Sequence, residues 1–286
     1  MGLFFSSDRF TRPGPGVRPD APRKKGVARL AEIMGRDMWN FFRAGFLAFL
    51  GCLPFIIGMF FAVETHALLF MLLAGIIGGL IAGPELSAMA DTVLRSLRDE
   101  PGYWWETYRR VWKRNARESL VPGMLTGLVL SMQIFTLFHM SVISAGIVTW
   151  VLLILSFVIT LGLESYIWPQ IALLDLPLYG ILKNSLLLFL GYLPRSLGAI
   201  AIKAVYWGAI LLFFPLTTII LPFTNFWLPM LPALLCIYQP LNKCFTIEST
   251  INKMREDELN AALAKETEPL PEDTTENPEE STEASS

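Results

Sequence analysis

Four polar side chains interrupt segments of this sequence that are otherwise apolar. Glu85, Glu164 and Lys203 are ionisable, and Gln133 is polar but uncharged. Ionisable groups at membrane depth usually face the interior of a helix bundle or a water-filled cavity, where they pair with one another. We therefore expect a polar site in the bundle, with Glu164 paired to Lys203. The alternative is that Lys203 extends its charge to the interface while both acids lie among headgroups.

Two histidines and one acid form a second group whose types could do chemistry. If two helical turns met at the outer face, Glu64, His66 and His139 could supply three ligands for a divalent ion. Polar residues in turns need no such explanation, and we predict no metal site. Nor does the chain contain a nucleophile elbow, a P-loop or an HExxH motif. We expect no catalytic residue, no bound cofactor and no enzymatic activity.

The composition indicates the class of protein that positions these groups. Hydrophobic residues make up 53% of the chain, charged residues only 17%, and the mean hydropathy is +0.49. Such values are typical of an integral membrane protein. Six uncharged runs are near the length that a bilayer requires, and we predict crossings near 44–63, 67–83, 120–138, 141–163, 204–223 and 226–241.

The basic residues are distributed as the positive-inside rule requires. With the N-terminus inside, all 23 Lys and Arg residues fall on the cytoplasmic side of these six crossings. We therefore predict a multi-pass protein of the bacterial cytoplasmic membrane with both termini in the cytoplasm. Its basic face suits a bilayer with an anionic inner leaflet, and nucleic acid is not an expected partner.

Two polar segments flank the membrane domain. Residues 1–26 form a basic arm rich in Pro and Gly, which favours an extended backbone. Residues 256–286 carry eleven acidic residues against the single Lys265, and such a composition does not support a folded core. We predict an acidic disordered cytoplasmic tail after a helical membrane domain spanning residues 27–255.

Amphipathic segments are expected at the cytoplasmic side. Residues 27–43 and 99–118 are predicted to be interfacial helices, and 178–193 an interfacial or re-entrant segment. The segment 99–118 offers either an ordinary interfacial anchor or a surface for a lipid or partner. The residues of that surface are Trp104, Trp105, Tyr108, Arg109, Arg110, Trp112, Lys113 and Arg114.

Prolines near the inner ends of three helices suggest how the crossings are organised. Pro84, Pro169 and Pro240 each follow an inward-running apolar segment, which indicates an all-α protein of three helical hairpins. Chance and a true repeat explain this spacing equally well, because Pro is common in membrane helices. Gly123, Gly127 and Ser131 recur every four residues and predict a close helix contact.

Several short motifs resemble the YesL family of bacterial integral membrane proteins over roughly the first 215 residues. They include Arg23-Lys24-Lys25-Gly26, Cys52-Leu53-Pro54, Gly83-Pro84, Val93-Leu94-Arg95, Leu182-Lys183-Asn184-Ser185 and Leu193-Pro194-Arg195. Glu85 departs from the pattern, in which we expect a small residue after Gly-Pro.

The resemblance implies a domain of unknown function that is often associated with carbohydrate uptake beside binding-protein-dependent sugar transporters. It implies no catalytic residue. We therefore expect a non-enzymatic accessory component, with sugar transporter subunits as candidate partners. The alternative is a transporter or channel for a small solute that uses the polar site in the bundle.

Overall fold

A computed structural model describes residues 23–100, 103–142 and 146–267. Within these ranges the chain is helical, and no strand occurs in them. The helices are α1 (Gly26–Thr65), α2 (Leu68–Arg98), α3 (Trp104–Phe138), α4 (Ile147–Leu173), α5 (Leu178–Gly191), α6 (Leu193–Leu212), α7 (Trp227–Phe245) and α8 (Ile247–Thr267). A short turn of helix, Leu221–Thr224, precedes α7. The chain divides into two compact units at Pro240, and the first holds the helix bundle.

Six of these helices are long and apolar enough to cross a membrane. They are α1, α2, α3, α4, α6 and the segment Leu221–Phe245, whereas α5 is apolar but shorter. Large apolar side chains cover their outward faces; on α4, for example, Val151, Leu152 and Ile154 are all more than half exposed. An apolar exterior on this scale is expected when lipid surrounds the helices. The chain therefore has the architecture of a multi-pass membrane protein.

Two of the helices are much longer than a bilayer is thick. The 40 residues of α1 span about 60 Å at 1.5 Å per residue, roughly twice the hydrocarbon thickness. The amphipathic segment 27–43 is thus the first part of α1, not a separate helix. The segment that contains Tyr108 is likewise the first part of the 35-residue α3. In both α1 and α3 the amphipathic segment therefore continues into the apolar crossing as one unbroken helix.

Glycine lets α2 and α3 pack backbone to backbone. A Cβ atom placed on Gly79 would overlap the carbonyl oxygen of Gly123, and one on Gly75 or Gly83 would overlap atoms of α3 as well. The predicted close contact of Gly123 and Gly127 is confirmed, and its partner is the glycine row of α2. Small residues allow this approach because no side chain holds the backbones apart.

The helix α2 lies at the centre of the bundle and contacts α1, α3 and α4. Every residue from Ser87 to Leu94 is buried, as expected for a helix that is enclosed on all sides. A π-helical turn, Ala74–Gly78, interrupts the regular hydrogen bonding of α2. There the Cα of Gly78 approaches the backbone of Phe55 in α1 so closely that a Cβ would clash with it.

The second half of the bundle departs from the predicted boundaries. The predicted crossing 204–223 corresponds to α6, which begins at Leu193 and ends at Leu212. It begins earlier because Pro194 is tolerated in a first helical turn and because Lys203 is buried inside the bundle. Pro169, in turn, lies within α4, which continues to Leu173.

The glycine contact gives a prediction for stability. Replacing Gly79 with Ala should lower the free energy of unfolding by about 1–3 kcal/mol, because the added methyl forces α2 and α3 apart. Gly208 lies in α6, and a Cβ added there would meet open space, so Gly208→Ala is the matched control. That variant should be unchanged or more stable by up to about 1 kcal/mol. Thermal unfolding in detergent measures both, and equal effects would contradict the backbone contact.

Candidate functional site

Two arginines of α1 bind the end of α2. The guanidinium of Arg29 donates to Asp99 Oδ2 at 2.6 Å and to the Leu97 carbonyl oxygen at 3.1 Å. Arg36 donates to Asp99 Oδ1 and, at 2.8 Å, to the carbonyl oxygen of Ser96. The last carbonyls of a helix lack partners within it and carry the negative end of its dipole. These arginines therefore satisfy the C-terminus of α2 and attach it to α1.

Asp99 is the residue that makes this contact possible. It follows α2 in the left-handed conformation, with φ 60° and ψ 35°, which Asp and Asn tolerate better than other non-glycine residues. Its carboxylate accepts from Arg29 and Arg36 and forms a further ion pair with Arg23 at 3.1 Å. We call this end of the bundle, formed around Asp99 where α1, α2 and α3 meet, the basic end.

A second set of ion pairs extends along α2 at the basic end. Arg98 donates two hydrogen bonds to Glu100, at 2.8 and 3.0 Å. Arg95 donates to Asp91 at 2.7 Å and lies 3.5 Å from Glu100. The side chains of Arg98, Glu100 and Asp91 are almost fully buried, so each buried charge has an opposite charge beside it, as burial requires.

A cavity of about 270 Å³ lies between these ion pairs and the first turns of α3. Its walls come from three helices and from the turn between α2 and α3. The lining residues are Arg36, Asp37, Asn40, Thr92, Arg95, Ser96, Asp99, Glu100, Trp104, Thr107 and Tyr108. This volume is near the lower end of the range for small-molecule sites, and the walls are mostly polar.

Glu85 of α2 is hydrogen-bonded to α3 next to this cavity, since its partner Tyr108 is one of the lining residues. The hydroxyl of Tyr108 donates to Glu85 Oε2, and the indole N–H of Trp112 donates to Glu85 Oε1 at 2.9 Å. On its other side the acid reaches α1, where a Cβ on Gly51 would clash with Glu85 Cγ. Both carboxylate oxygens are thus held by aromatic donors at the junction of three helices.

Gln133 lies deeper in the bundle and links α3 to α4. Its amide nitrogen donates to Ser156 Oγ and to Thr160 Oγ1, the latter at 2.8 Å. Ser156, Thr160 and Glu164 are spaced four residues apart and so share one face of α4. The amide oxygen of Gln133 is buried and has no partner among the described residues.

Glu164 and Lys203 interact electrostatically within the bundle. Lys203 lies midway along α6 and is 8% exposed, and Glu164, in α4, is partly buried. Lys203 therefore does not extend to the interface. Of the four predicted site residues, Glu164 and Lys203 lie within electrostatic range of each other, Glu85 is held separately by α3, and Gln133 bonds to hydroxyls instead of charges.

The aromatic and basic residues of α3 divide into two groups. Tyr108 is buried and Trp104 is half-buried, and both rings face the other helices. Trp105, Arg109, Arg110 and Lys113 are exposed and, with Glu106, form a shallow depression on the surface. Trp112 and Arg114 are exposed but bonded, Trp112 to Glu85 and Arg114 to the carbonyl oxygen of Ala172 at 2.8 Å.

At the opposite end of the bundle the two histidines contact each other. His66 Nδ1 and His139 Nε2 are 2.7 Å apart, and His139 Nδ1 lies 2.7 Å from the carbonyl oxygen of Phe135. A carbonyl oxygen only accepts, so His139 Nδ1 carries a proton, and in the neutral form of His139 its Nε2 accepts from His66 Nδ1. Among the described residues no group of three His, Cys, Asp or Glu side chains could hold a metal ion.

The attachment of Arg29 and Arg36 to Asp99 was not predicted from the sequence. A signal was present, because these two arginines are seven residues apart and therefore lie on one face of a helix. Nothing in that spacing names the carboxylate they bind, which is more than sixty residues away along the chain.

Comparisons with known proteins return no family. No family model, no curated protein and no solved structure matches this chain.

The contacts of Asp99 predict how stability depends on pH. Burial would raise the pKa of Asp99, but hydrogen bonds and charges from Arg36 and Arg29 outweigh burial and hold this pKa below its ordinary value. A lowered pKa in the folded state stabilises the protein above the ordinary Asp pKa of about 3.9, and this stabilisation is lost as the pH falls through the lowered pKa.

Asp99→Asn should therefore be less stable than the unmodified protein at pH 7, by about 1 kcal/mol because these ion pairs are partly exposed to solvent. The difference should shrink as the pH falls below 4, since both proteins then lack the charge. Asn tolerates the left-handed backbone, so the change tests the charge alone. Melting temperatures of Asp99→Asn and the unmodified protein between pH 7 and pH 3 measure the effect, and Asp175→Asn, at an exposed position, is the control. A difference between Asp99→Asn and the unmodified protein that is constant over this pH range would refute the prediction.

Proposed function

We propose that this chain is a non-enzymatic accessory protein of the bacterial cytoplasmic membrane that binds a partner at its basic end. The resemblance to the YesL family suggests that the partner is a subunit of a carbohydrate uptake system. One observation supports this proposal best: exposed basic and aromatic residues lie beside a cavity at the basic end, whereas the amide nitrogen of Gln133 inside the bundle is already bonded to Ser156 and Thr160.

The surface that we assign to the partner is formed by Trp105, Arg109, Arg110 and Lys113. These side chains are exposed and surround one depression of α3. Their positive charge is only partly neutralised, because the one acid among them, Glu106, pairs with Arg110 at 3.3 Å. Trp and Arg are the residues that most often dominate binding energy at interfaces. An acidic, partly apolar surface of another protein is the complementary partner.

The alternative function is a transporter or channel for a small solute. Two observations favour it: the charges of Glu164 and Lys203 interact inside the bundle, and Gln133 has an amide oxygen there that lacks a partner among the described residues. Such groups mark many substrate pathways. The accessory role is preferred because glycine packs α2 against α3 at backbone contact, which leaves little room for a path between these two helices.

The proposed orientation can be tested by labelling single cysteines in intact cells. Arg110→Cys, in a background lacking Cys244, should react with a membrane-impermeant maleimide only after the cells are opened, because the basic end faces the cytoplasm. Val142→Cys, at the opposite end and 72% exposed, should react in intact cells. Labelling of the Arg110→Cys variant from outside would overturn the orientation and the cytoplasmic partner with it.

The proposed partner surface can be tested by cross-linking in native membranes. A photoreactive amino acid at Trp105 should give one adduct of defined mass, and the same amino acid at Leu152, which is exposed on the apolar face of α4, should give none. The triple variant in which Arg109, Arg110 and Lys113 are all replaced by Glu should reduce the adduct yield by about tenfold or more. Each exposed charge pair adds roughly 1 kcal/mol or less to the affinity, and three lost pairs together exceed the energy of a tenfold change.

Reversal of exposed Lys183 in α5 is the control for added negative charge. Equal adducts at Trp105 and Leu152 would contradict the proposal. Loss of solute uptake in Glu164→Gln, with cross-linking unchanged, would favour the transporter instead.

A further inference from the structure

The charges that line the cavity at the basic end are already neutralised within the protein. All three guanidinium nitrogens of Arg36 have partners, in Asp37, Asp99 and the carbonyl oxygen of Ser96. Asp99 accepts from two arginines, and Glu100 accepts two hydrogen bonds from Arg98. These residues form the wall of the cavity, and their hydrogen bonds leave little capacity for a ligand.

Four other groups in the cavity wall are free to bind a ligand. The Asn40 amide, the Thr107 hydroxyl and the second terminal nitrogen of Arg95 have no hydrogen-bond partner among the described residues. The indole N–H of Trp104 is buried and also lacks a partner there. A buried donor without a partner is destabilising, so a ligand that accepts a hydrogen bond from the Trp104 indole would remove that cost. Because donors outnumber acceptors in this set, a ligand rich in acceptor oxygens fits best.

Arg43 adds a positive charge at the same place. Its guanidinium lies 5.1 Å from the ring centre of Trp39 and 5.6 Å from that of Trp104. The two indole faces orient the cation by cation–π attraction. Arg43 is exposed and has no acidic partner among the described residues. Trp104 thus connects an available cation to a cavity that contains available donors.

The depth of Arg43 in the membrane identifies the source of the acceptor oxygens. Arg43 is the last charged residue before the uncharged run 44–63, so it lies where the hydrocarbon ends and the headgroups begin. Trp39 beside it is 60% exposed and stacks on Phe42 at 5.3 Å, as is typical of aromatic residues at the membrane interface. The oxygen-rich anion available at that depth is the phosphate of a phospholipid.

We propose that the phosphate group of a membrane phospholipid binds between Arg43 and the cavity at the basic end, where Trp104, Thr107, Asn40 and Arg95 donate to its oxygens. Arg43 supplies the charge and the cavity supplies the directed hydrogen bonds. The exposed ring of Trp39 and the half-buried ring of Phe42 contact the glycerol and the first methylenes of the acyl chains. The site is independent of the proposed partner surface, which lies on the exposed residues of α3.

Native mass spectrometry of the full chain in detergent tests this site with three probes. Dioctanoyl phosphatidylglycerol has the phosphate and the chains, glycerol 3-phosphate has only the phosphate, and dioctanoylglycerol has only the chains. The unmodified protein should retain one phosphatidylglycerol at concentrations where neither other probe is retained. Equal retention of glycerol 3-phosphate would overturn the lipid as the source, equal retention of dioctanoylglycerol would overturn phosphate recognition, and retention of none would overturn the site.

Two variants test the residues. Arg43→Gln and the nearly isosteric Thr107→Val should each weaken retention of phosphatidylglycerol, by roughly tenfold and threefold, since a charged hydrogen bond is about twice as strong as a neutral one. Lys183→Gln removes the same charge from an exposed position of α5 that belongs to no proposed site, and it should retain the lipid as the unmodified protein does. Unchanged retention in Thr107→Val, or an equal loss in Lys183→Gln, would reduce the site to general attraction of anions and so refute it.

Discussion

The backbone contact between α2 and α3 determines most of the remaining structure. Gly75 faces Gly127, Gly79 faces Gly123 and Gly83 faces Ser119, so each step of four residues along α2 matches a step of four back along α3. The same register continues one step further, where Asn115 donates to Ser87 at 3.0 Å. When this register is extended toward the basic end, the first turns of α3 lie beside the last turns of α2. The cavity, the Glu85 contact with Tyr108 and the position of Trp104 therefore all follow from where these glycines fall.

A close contact of this kind suits a membrane, where burying apolar side chains gives little gain because lipid is equally apolar. Helices are then held by tight packing and by hydrogen bonds between polar side chains. Both are found here: glycine joins α2 to α3, and Gln133 joins α3 to α4 through Ser156 and Thr160. Of the polar residues that the sequence places at membrane depth, Gln133 and Glu85 thus take part in hydrogen bonds that join helices. This is the physical reason to look for function at the end of the bundle instead of inside it.

Hydropathy and small-residue spacing predicted the number of long apolar helices and the close approach of Gly123 and Gly127, because both depend on local sequence alone. They did not predict the bounds of α6, since Lys203 was taken to mark a membrane boundary and it is instead buried near Glu164. The binding of Arg29 and Arg36 to Asp99 was also missed, because it joins residues far apart in the sequence. Whether α5 is interfacial or re-entrant, and whether the three predicted hairpins form a repeat, stay predictions.

The arginines at the basic end divide by what they bind, and this division separates architecture from recognition. Arg29, Arg36, Arg95 and Arg98 bind acids and helix-end carbonyls within the bundle, so replacing one would leave a carboxylate or carbonyl unsatisfied and cost stability. Arg43 and Arg109 are exposed and have no acidic partner among the described residues, so their charges remain available to lipid or to another protein. Counting all of them as topology signals, as the positive-inside rule does, hides this difference. Only the contacts of each guanidinium identify which cations hold the fold together and which are left to bind something else.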